Sequence, residues 1–472
     1  MRMVHIMNHS KHPNILLILA DDMGYGDFSC TNGGLSHTPA LDQLMAESLC
    51  FTQQYTASPV CNPSRACLLT GRYPHRTGSI DTLEWRGLER LALRETTLAD
   101  VLRAAGYRTG LVGKWHLGAF DMRYHPMNRG FEETVCFRGG MHDYYDWRIE
   151  YGEQVVRTDG RYLTDVWTEE ACAYIQRHAD EPFFLHLNYN APHTPLQAPE
   201  EEIKPFLESG RFNRAVSTLY GMLHRMDSGI ARVLETLEAC GIADNTLVMF
   251  TSDNGPQLSG EGDHCLDRFN CHLHGAKGSV HEGGIRVPMI LRWPDGVEGG
   301  RSLPEMVHFS DWFPTILGLA GVPIPAGLHL DGVSVLPALR GDPGGLCDKR
   351  FWQWNRYTPL VTCNAAVRDG DWKLVRPWIL EAMQCPCVDP WLEISMYEPE
   401  RLIRDGLVRD PEPARNVPPP PPPELYHIGH DPLETENMAS QHPERVHRML
   451  RDLENWFEEV ERERRSIPPD GI

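Results

Sequence analysis

Three apolar runs, each ending in residues able to bind a metal or carry a proton, constrain this chain more than any other feature. Asn14-Ile15-Leu16-Leu17-Ile18-Leu19-Ala20 ends in Asp21-Asp22. Pro182-Phe183-Phe184-Leu185-His186-Leu187-Asn188-Tyr189 runs into Ala191-Pro192-His193. Thr246-Leu247-Val248-Met249-Phe250-Thr251-Ser252 runs into Asp253-Asn254-Gly255. Short continuous runs of this kind read as strands buried on both faces of a parallel sheet. Ligands of open α/β sheets bind beyond the carboxyl ends of the strands. Packing alone gives no reason for polar residues at the same edge three times.

Helical periodicity falls between and after these strands, at roughly 38–49, 63–70, 95–105, 165–178, 211–239 and 311–320. Alternation of strand and helix predicts an α/β fold with a large central, mostly parallel sheet flanked by helices. The composition changes after about residue 345. Asn364 to Val375 reads as a hairpin with a Gly turn at Gly370, Pro418 to Pro423 as a stiff polyproline spacer, and Glu424-Leu425-Tyr426 as a further strand. An amphipathic helix closes the chain from about Pro443 to Arg465. The expected division is therefore a catalytic α/β domain over 1–345 and a smaller subdomain over 346–472, an antiparallel sheet with a terminal helix.

With 472 residues and a net charge of −20, the chain is large enough for both units and poorly suited to nucleic acid. No stretch has the roughly 20 apolar residues that span a bilayer. Met1 to Pro13 has no apolar core of a signal peptide, so the expected location is cytoplasmic, or periplasmic or secreted if a leader has been removed. Thirteen scattered cysteines, an odd number, argue against a disulfide framework.

Against this acidic background the candidate site is locally basic. Cys61-Asn62-Pro63-Ser64-Arg65 reads as a helix start: Pro63 suits the first turn, and Arg65 lies one turn below Cys61 on the same face. The helix N-terminus and Arg65 together favour an anion next to the thiol. Asp21, Asp22, Asp253 and Asn254 supply four oxygen donors from two strand ends, a set that suits a hard cation. Gly113-Lys114-Trp115-His116-Leu117-Gly118 follows a probable strand over Thr109 to Val112, and alternation would point Lys114 and His116 the same way. Prolines bracket His193, and Gly275 and Gly278 flank Ala276-Lys277, which lets Lys277 approach a ligand closely.

Cys-x-Pro-Ser-Arg, the Gly-Lys-Trp-His-Leu-Gly hexapeptide, the Pro-His loop, the paired Asp residues and the Lys277 turn resemble the ordered motifs of the type I sulfatases. The resemblance runs from Pro13 to about Pro294 and resumes weakly near Glu424-Leu425-Tyr426 and Asp431-Pro432. It implies an alkaline-phosphatase-like fold and hydrolysis of a sulfate monoester, on a carbohydrate or an aryl alcohol. It also implies that Cys61 is converted to formylglycine by a generating enzyme and hydrated to a geminal diol. The metal set would be Asp21, Asp22, residue 61, Asp253 and Asn254, holding Ca²⁺ or else Mg²⁺. Arg65, Lys114 and Lys277 would stabilise charge on the sulfate. His193 would protonate the leaving alcohol and His116 would take the proton in the second half-reaction.

Substrate-side residues are read from loops. Gly139 to Trp147 is aromatic and polar, which suits a sugar, and singles out His142 and Asp143. Asp81 and Trp85 follow the Cys61 helix. His264, Arg268 and His272 lie in a Cys/His-rich stretch before Lys277 that lacks CxxC spacing for zinc. The alternatives are a phosphonate monoester or phosphodiester hydrolase on the same fold, and a non-catalytic binder of sulfated glycans. The former family tends to place His where this chain has Asn254. The latter is disfavoured because every catalytic position holds a competent residue.

Overall fold

A computed structural model describes residues 12–258, 264–342, 344–386, 391–405 and 412–468. Asp263 and nearly all of the opening segment read above for a leader lie outside the described residues. The large sheet has ten strands. In spatial order they are Arg301–His308, Leu49–Tyr55, Met289–Arg292, Thr246–Ser252, Asn14–Ala20, Phe183–Asn188, Arg108–Lys114, Glu133–Phe137, Arg148–Tyr151 and Gln154–Arg157. The five strands from Thr246–Ser252 to Glu133–Phe137 are all mutually parallel, and antiparallel partners flank them.

The three apolar runs sit together at the centre, with Asn14–Ala20 paired in register to both of the others. Alternate residues of that strand feed opposite cores. Ile15, Leu17 and Leu19 pack with Trp312, Phe313 and Leu68, whereas Leu16, Ile18 and Ala20 pack with Trp167, Leu219 and Met226. Burial on both faces is why the run is apolar without alternation. The long helix Arg214–Ala239 starts at Asn213, whose side chain accepts from Val216 N at 2.9 Å, a standard N-cap. Leu98–Ala104 is likewise capped by Thr97 and Asp100.

Four antiparallel strands, Lys349–Gln353, Ala365–Asp369, Trp372–Arg376 and Glu424–His427, form a second sheet. The terminal helix Pro443–Arg464 lays Val446, Met449, Leu453, Trp456 and Val460 on it. The polyproline run is largely exposed and belongs to no helix or strand. Every described cysteine is a free thiol. Among the described residues no helix is long and apolar enough to cross a membrane.

One expected helix is too long. The 38–49 pattern ends at Glu47, and Leu49 already begins a strand beside the sheet edge. Ser48 breaks the helix with extended backbone, φ −104° and ψ 173°.

Candidate active site

The strand ends converge as the sheet topology requires. Asp21, Asp22 and Asp253 each offer a carboxylate oxygen, all within 4.8 Å of one another, and Asp21, Cys61 and His193 meet the same limit. Adjacent residues of an extended strand point to opposite faces, so Asp21 and Asp22 could not share a site on a continued strand. Asp22 has φ 67°, the left-handed region that Asp tolerates better than most, and this turn brings its carboxylate back. Asn254 Nδ2 donates to Asp22 Oδ1 at 2.7 Å, and Asp22 N donates to Asp253 Oδ1 at 3.2 Å.

The pentapeptide explains itself residue by residue. Cys61 opens the helix Cys61–Thr70 and is buried. Asn62 Nδ2 donates to the carbonyls of His116 at 2.7 Å and Glu89 at 2.6 Å, tying the helix to the Lys114 strand. Ser64 Oγ hydrogen-bonds Thr56 Oγ1, which donates to the Asp253 carbonyl at 2.7 Å. Arg65 Nε donates to Asp253 Oδ2 at 2.9 Å, and its Nη2 lies 2.7 Å from the same oxygen.

Each cation of the site faces a carboxylate. Lys114 Nζ donates to Asp21 Oδ2 at 2.6 Å and Lys277 Nζ to Asp22 Oδ2 at 2.8 Å. Glycines hold the Lys277 turn, with φ 76° at Gly275 and 88° at Gly278. A Cβ on Gly255 would come 1.9 Å from the Gly283 carbonyl, so the Asp253 loop and this turn touch backbone to backbone. Lys114 and His116 are not presented by alternation. The strand ends at Lys114, and His116 enters through φ 56°. The backbone at Gly140 packs on its ring: a Cβ there would lie 2.8 Å from Cε1 and Nε2.

Electrostatics follow from burial and from crowding of like charges. Burial and the Asp21 charge push Asp253 up to about 6, against the pull of Arg65 and Lys114. Burial also pushes Asp22 upward, but Lys277 and His193 outweigh it and hold the carboxyl below the usual range. Burial raises the Cys61 thiol, with Lys114 and Lys277 opposing, so an unmodified Cys61 is a protonated, weak nucleophile at neutral pH. Burial, then Lys277, lowers His193 to about 3. Its Nδ1 donates to the Thr194 carbonyl at 2.7 Å, leaving Nε2 3.7 Å from Asp22 Oδ2. Burial and the charges of Lys114 and Arg65 keep His116 neutral.

These residues fit a hard cation. Asp21 Oδ1 and Asn254 Oδ1 are buried with no hydrogen-bond partner among the described residues, and three carboxylates share one dry pocket. The donors are all oxygen apart from position 61, which suits Ca²⁺ or Mg²⁺ better than a thiophilic metal.

A family model described as Sulfatase matches residues 13–322. The chain belongs to the sulfatase family. A second family model, described as the C-terminal part of N-sulphoglucosamine sulphohydrolase, matches residues 272–384. Human N-acetylgalactosamine-6-sulfatase is 34% identical over 397 residues, covering 78% of this chain and 73% of that protein. A solved structure of Ps i-CgsB in complex with k-i-k-neocarrahexaose superposes with a TM-score of 0.78 at 30% identity, covering 94% of this sulfatase and 93% of that chain. The phosphonate monoester hydrolase of Agrobacterium radiobacter shares the fold, with a TM-score of 0.63 at 20% identity over 95% and 96% of the two chains. The reaction of this sulfatase is the hydrolysis of a sulfate ester.

Most of the residues expected on the substrate side are engaged by the protein itself. Arg268 is fully buried against Asp27, and its Nη2 also donates to the Asp22 carbonyl at 2.7 Å, so it braces the loop that carries Asp22 instead of facing substrate. Asp81 is fully buried and accepts from Arg356 Nη1 at 2.9 Å and Tyr357 N at 2.8 Å. Trp85 is buried among Leu83, Tyr357 and Leu402. Asp143 caps its own turn, accepting from Tyr145 N and Asp146 N at 2.7 Å. His142 Nε2 accepts from Arg148 N at 3.2 Å within the same loop. His264 and His272 are exposed, the latter with its ring edge-on to Phe269, and among the described residues no hydrogen bond or ion pair links either side chain to the carboxylate cluster. Asp81 and Arg268 are thus taken up by partners far away in sequence, and Asp143 by its own turn. Glu84, unremarked in the sequence, accepts from Gly140 N and sits 4.0 Å from His116 Nε2.

Proposed function

We propose that this sulfatase cleaves a sulfate monoester of a saccharide with formylglycine at position 61 and Ca²⁺ in the Asp21, Asp22, Asp253 and Asn254 cage. One observation carries the reading: residue 61 opens a helix at a point where three carboxylates and three cations converge. The Cys61 Sγ stands where the formylglycine oxygen would be. A hydrated aldehyde held beside a divalent ion supplies a nucleophilic hydroxyl at neutral pH, which the raised Cys61 thiol does not.

The chain's own residues do the rest. Arg65 and Lys114 are pinned by Asp253 and Asp21, so their charges are fixed before substrate arrives. Lys277 reaches in from a glycine-flanked turn, its side chain 17% exposed, and is the cation best placed to follow the sulfate oxygens. His193 offers Nε2 on the same side as Lys277. The bound sulfate's negative charge favours its imidazolium, which then donates to the leaving alcohol. His116 is neutral, with both ring nitrogens unpartnered among the described residues, and so is ready to accept a proton. A saccharide as the alcohol is supported by the sulfated-sugar name of the human relative and the carrahexaose in the Ps i-CgsB structure.

The test is intact mass of the tryptic peptide containing Cys61, read beside sulfate release from a panel of sulfated monosaccharides. Active protein should carry formylglycine. Turnover by wholly unmodified Cys61 would overturn the nucleophile assignment.

A further inference from the structure

The strands Lys349–Gln353 and Ala365–Asp369 of the second sheet are joined by a loop that reaches back to the active site. Its backbone is fixed. Arg356 N donates to the Ala382 carbonyl at 3.1 Å. Asn355 Nδ2 donates to the carbonyls of Arg356 at 2.7 Å and Thr358 at 2.9 Å. Tyr357 adopts φ 60°, and its N–H is held by Asp81 Oδ2 at 2.8 Å. At the far end of the loop, Asn364 Nδ2 donates to the carbonyls of Gly278 at 2.9 Å and Trp354 at 2.8 Å. The loop is therefore sewn on one side to the segment after the Cys61 helix and on the other to the turn that carries Lys277.

Arg356 lies on the Asp81 side of this loop. Nη1 donates to Asp81 Oδ1 at 2.9 Å and to Thr82 Oγ1 at 2.6 Å, and the guanidinium lies 5.2 Å from the Trp354 ring centroid. It is near enough to Cys61 for a charge there to act on it. Its side chain is 26% exposed although Asp81 beneath it is fully buried. Among the described residues neither Nε nor Nη2 has a hydrogen-bond partner, whereas Arg65, Lys114 and Lys277 are each ion-paired to a carboxylate of the cluster. The Nε/Nη2 edge of a guanidinium is the edge that takes an oxyanion in two parallel hydrogen bonds. A chain with net charge −20 repels anions in general, so an open, pre-oriented guanidinium at the site is a selective one.

We propose that Arg356 is a specificity-determining residue that binds a second oxyanion, a sulfate or a carboxylate, on the saccharide whose ester is cleaved. The inference rests on the saccharide reading above.

The test uses the full-length, formylglycine-bearing protein and three kinds of substrate: 4-nitrophenyl sulfate, singly sulfated monosaccharides, and the same sugars bearing a second sulfate or a uronic carboxylate. Wild type should show kcat/KM at least tenfold higher for sugars with a second anion, and the two doubly anionic arms tell sulfate from carboxylate. Arg356→Gln should erase the preference through KM, and Arg356→Lys should keep part of it, since the charge stays while the fork is lost. Thermal midpoints establish that the variants are folded. A wild type that turns over the sugars without favouring a second anion overturns this inference alone and needs no variant. So does a folded Arg356→Gln that keeps the preference. A wild type that cleaves only the aryl sulfate and no sugar overturns the saccharide reading and this inference with it.

Discussion

Asn254 donates Nδ2 to Asp22 Oδ1 at 2.7 Å, and its own carbonyl oxygen is left buried and unpartnered among the described residues. An amide held this way contributes a neutral oxygen donor where a fourth carboxylate would add repulsion. Ca²⁺ should therefore raise the thermal midpoint of the protein with its concentration, adding about 2.7 kcal/mol of stability at one hundred times the dissociation constant. Asn254→Ala should weaken the apparent affinity by roughly tenfold, the scale typical of losing a supporting metal-site residue. Scanning calorimetry with EGTA, Ca²⁺ and Mg²⁺ reads this out. A midpoint indifferent to both ions would remove the metal from the account.

Lys277 lies on a turn that can be altered without touching the sheet. Lys277→Ala should lower kcat by roughly 100- to 1,000-fold, the usual loss for one fixed transition-state donor. Sulfate release by ion chromatography measures it. A loss confined to KM would mean that Lys277 only binds substrate.

Gly140 is tied to His116 by space, since an added Cβ would meet the imidazole at 2.8 Å. Gly140→Ala should displace the ring from its neighbour Glu84 and reduce kcat by about tenfold or more, on the view that a small misplacement is costly. Circular dichroism should show an intact fold. Full turnover in this variant would show that the position of the His116 ring does not limit the reaction.

Glu89 gives a pH prediction of definite sign. Burial, with the nearby Glu84 charge adding to it, pushes its carboxyl up to about 8 from an ordinary 4.5. Between these values the unfolded chain has released the proton and the folded chain still holds it. Stability from this group is therefore present below pH 4.5 and is lost as pH rises toward 8, with a slope approaching about 1.4 kcal/mol per pH unit. Glu89→Gln mimics the protonated form, so its thermal midpoint should exceed that of wild type by more at pH 8 than at pH 5. Equal differences at both pH values would show that Glu89 is ionised in the fold.

The sheet centre was legible because its strands are buried on both faces. Asn14–Ala20 and Thr246–Ser252 have the bounds that their apolar runs give. Leu49–Tyr55 was not, since Thr52, Gln53 and Gln54 interrupt it. Gln54 is buried, and its amide oxygen accepts from Trp312 Nε1 at 3.1 Å, 258 positions away in sequence. The same reason separates the residues expected to be catalytic from those expected on the substrate side. Cys61, Arg65, Lys114, His193 and Lys277 stand in short local patterns, each legible in a few neighbouring residues. Arg268 looks like a pocket cation until Asp27, 241 positions away, is seen to take it. Arg356 carried no local signal at all, because its meaning comes from Asp81 and Gly278, reached only through the pairing of the second sheet.

The terminal helix has one more consequence. Glu459 and Glu463, near the end of the chain, grip Arg72 and Arg76 just beyond the helix that Cys61 opens, and Cys61 itself is 2% exposed in the finished fold. Anything too large to enter the closed site can therefore reach residue 61 only while this clasp is undone, so the order in which the chain closes decides whether that position can be handled at all.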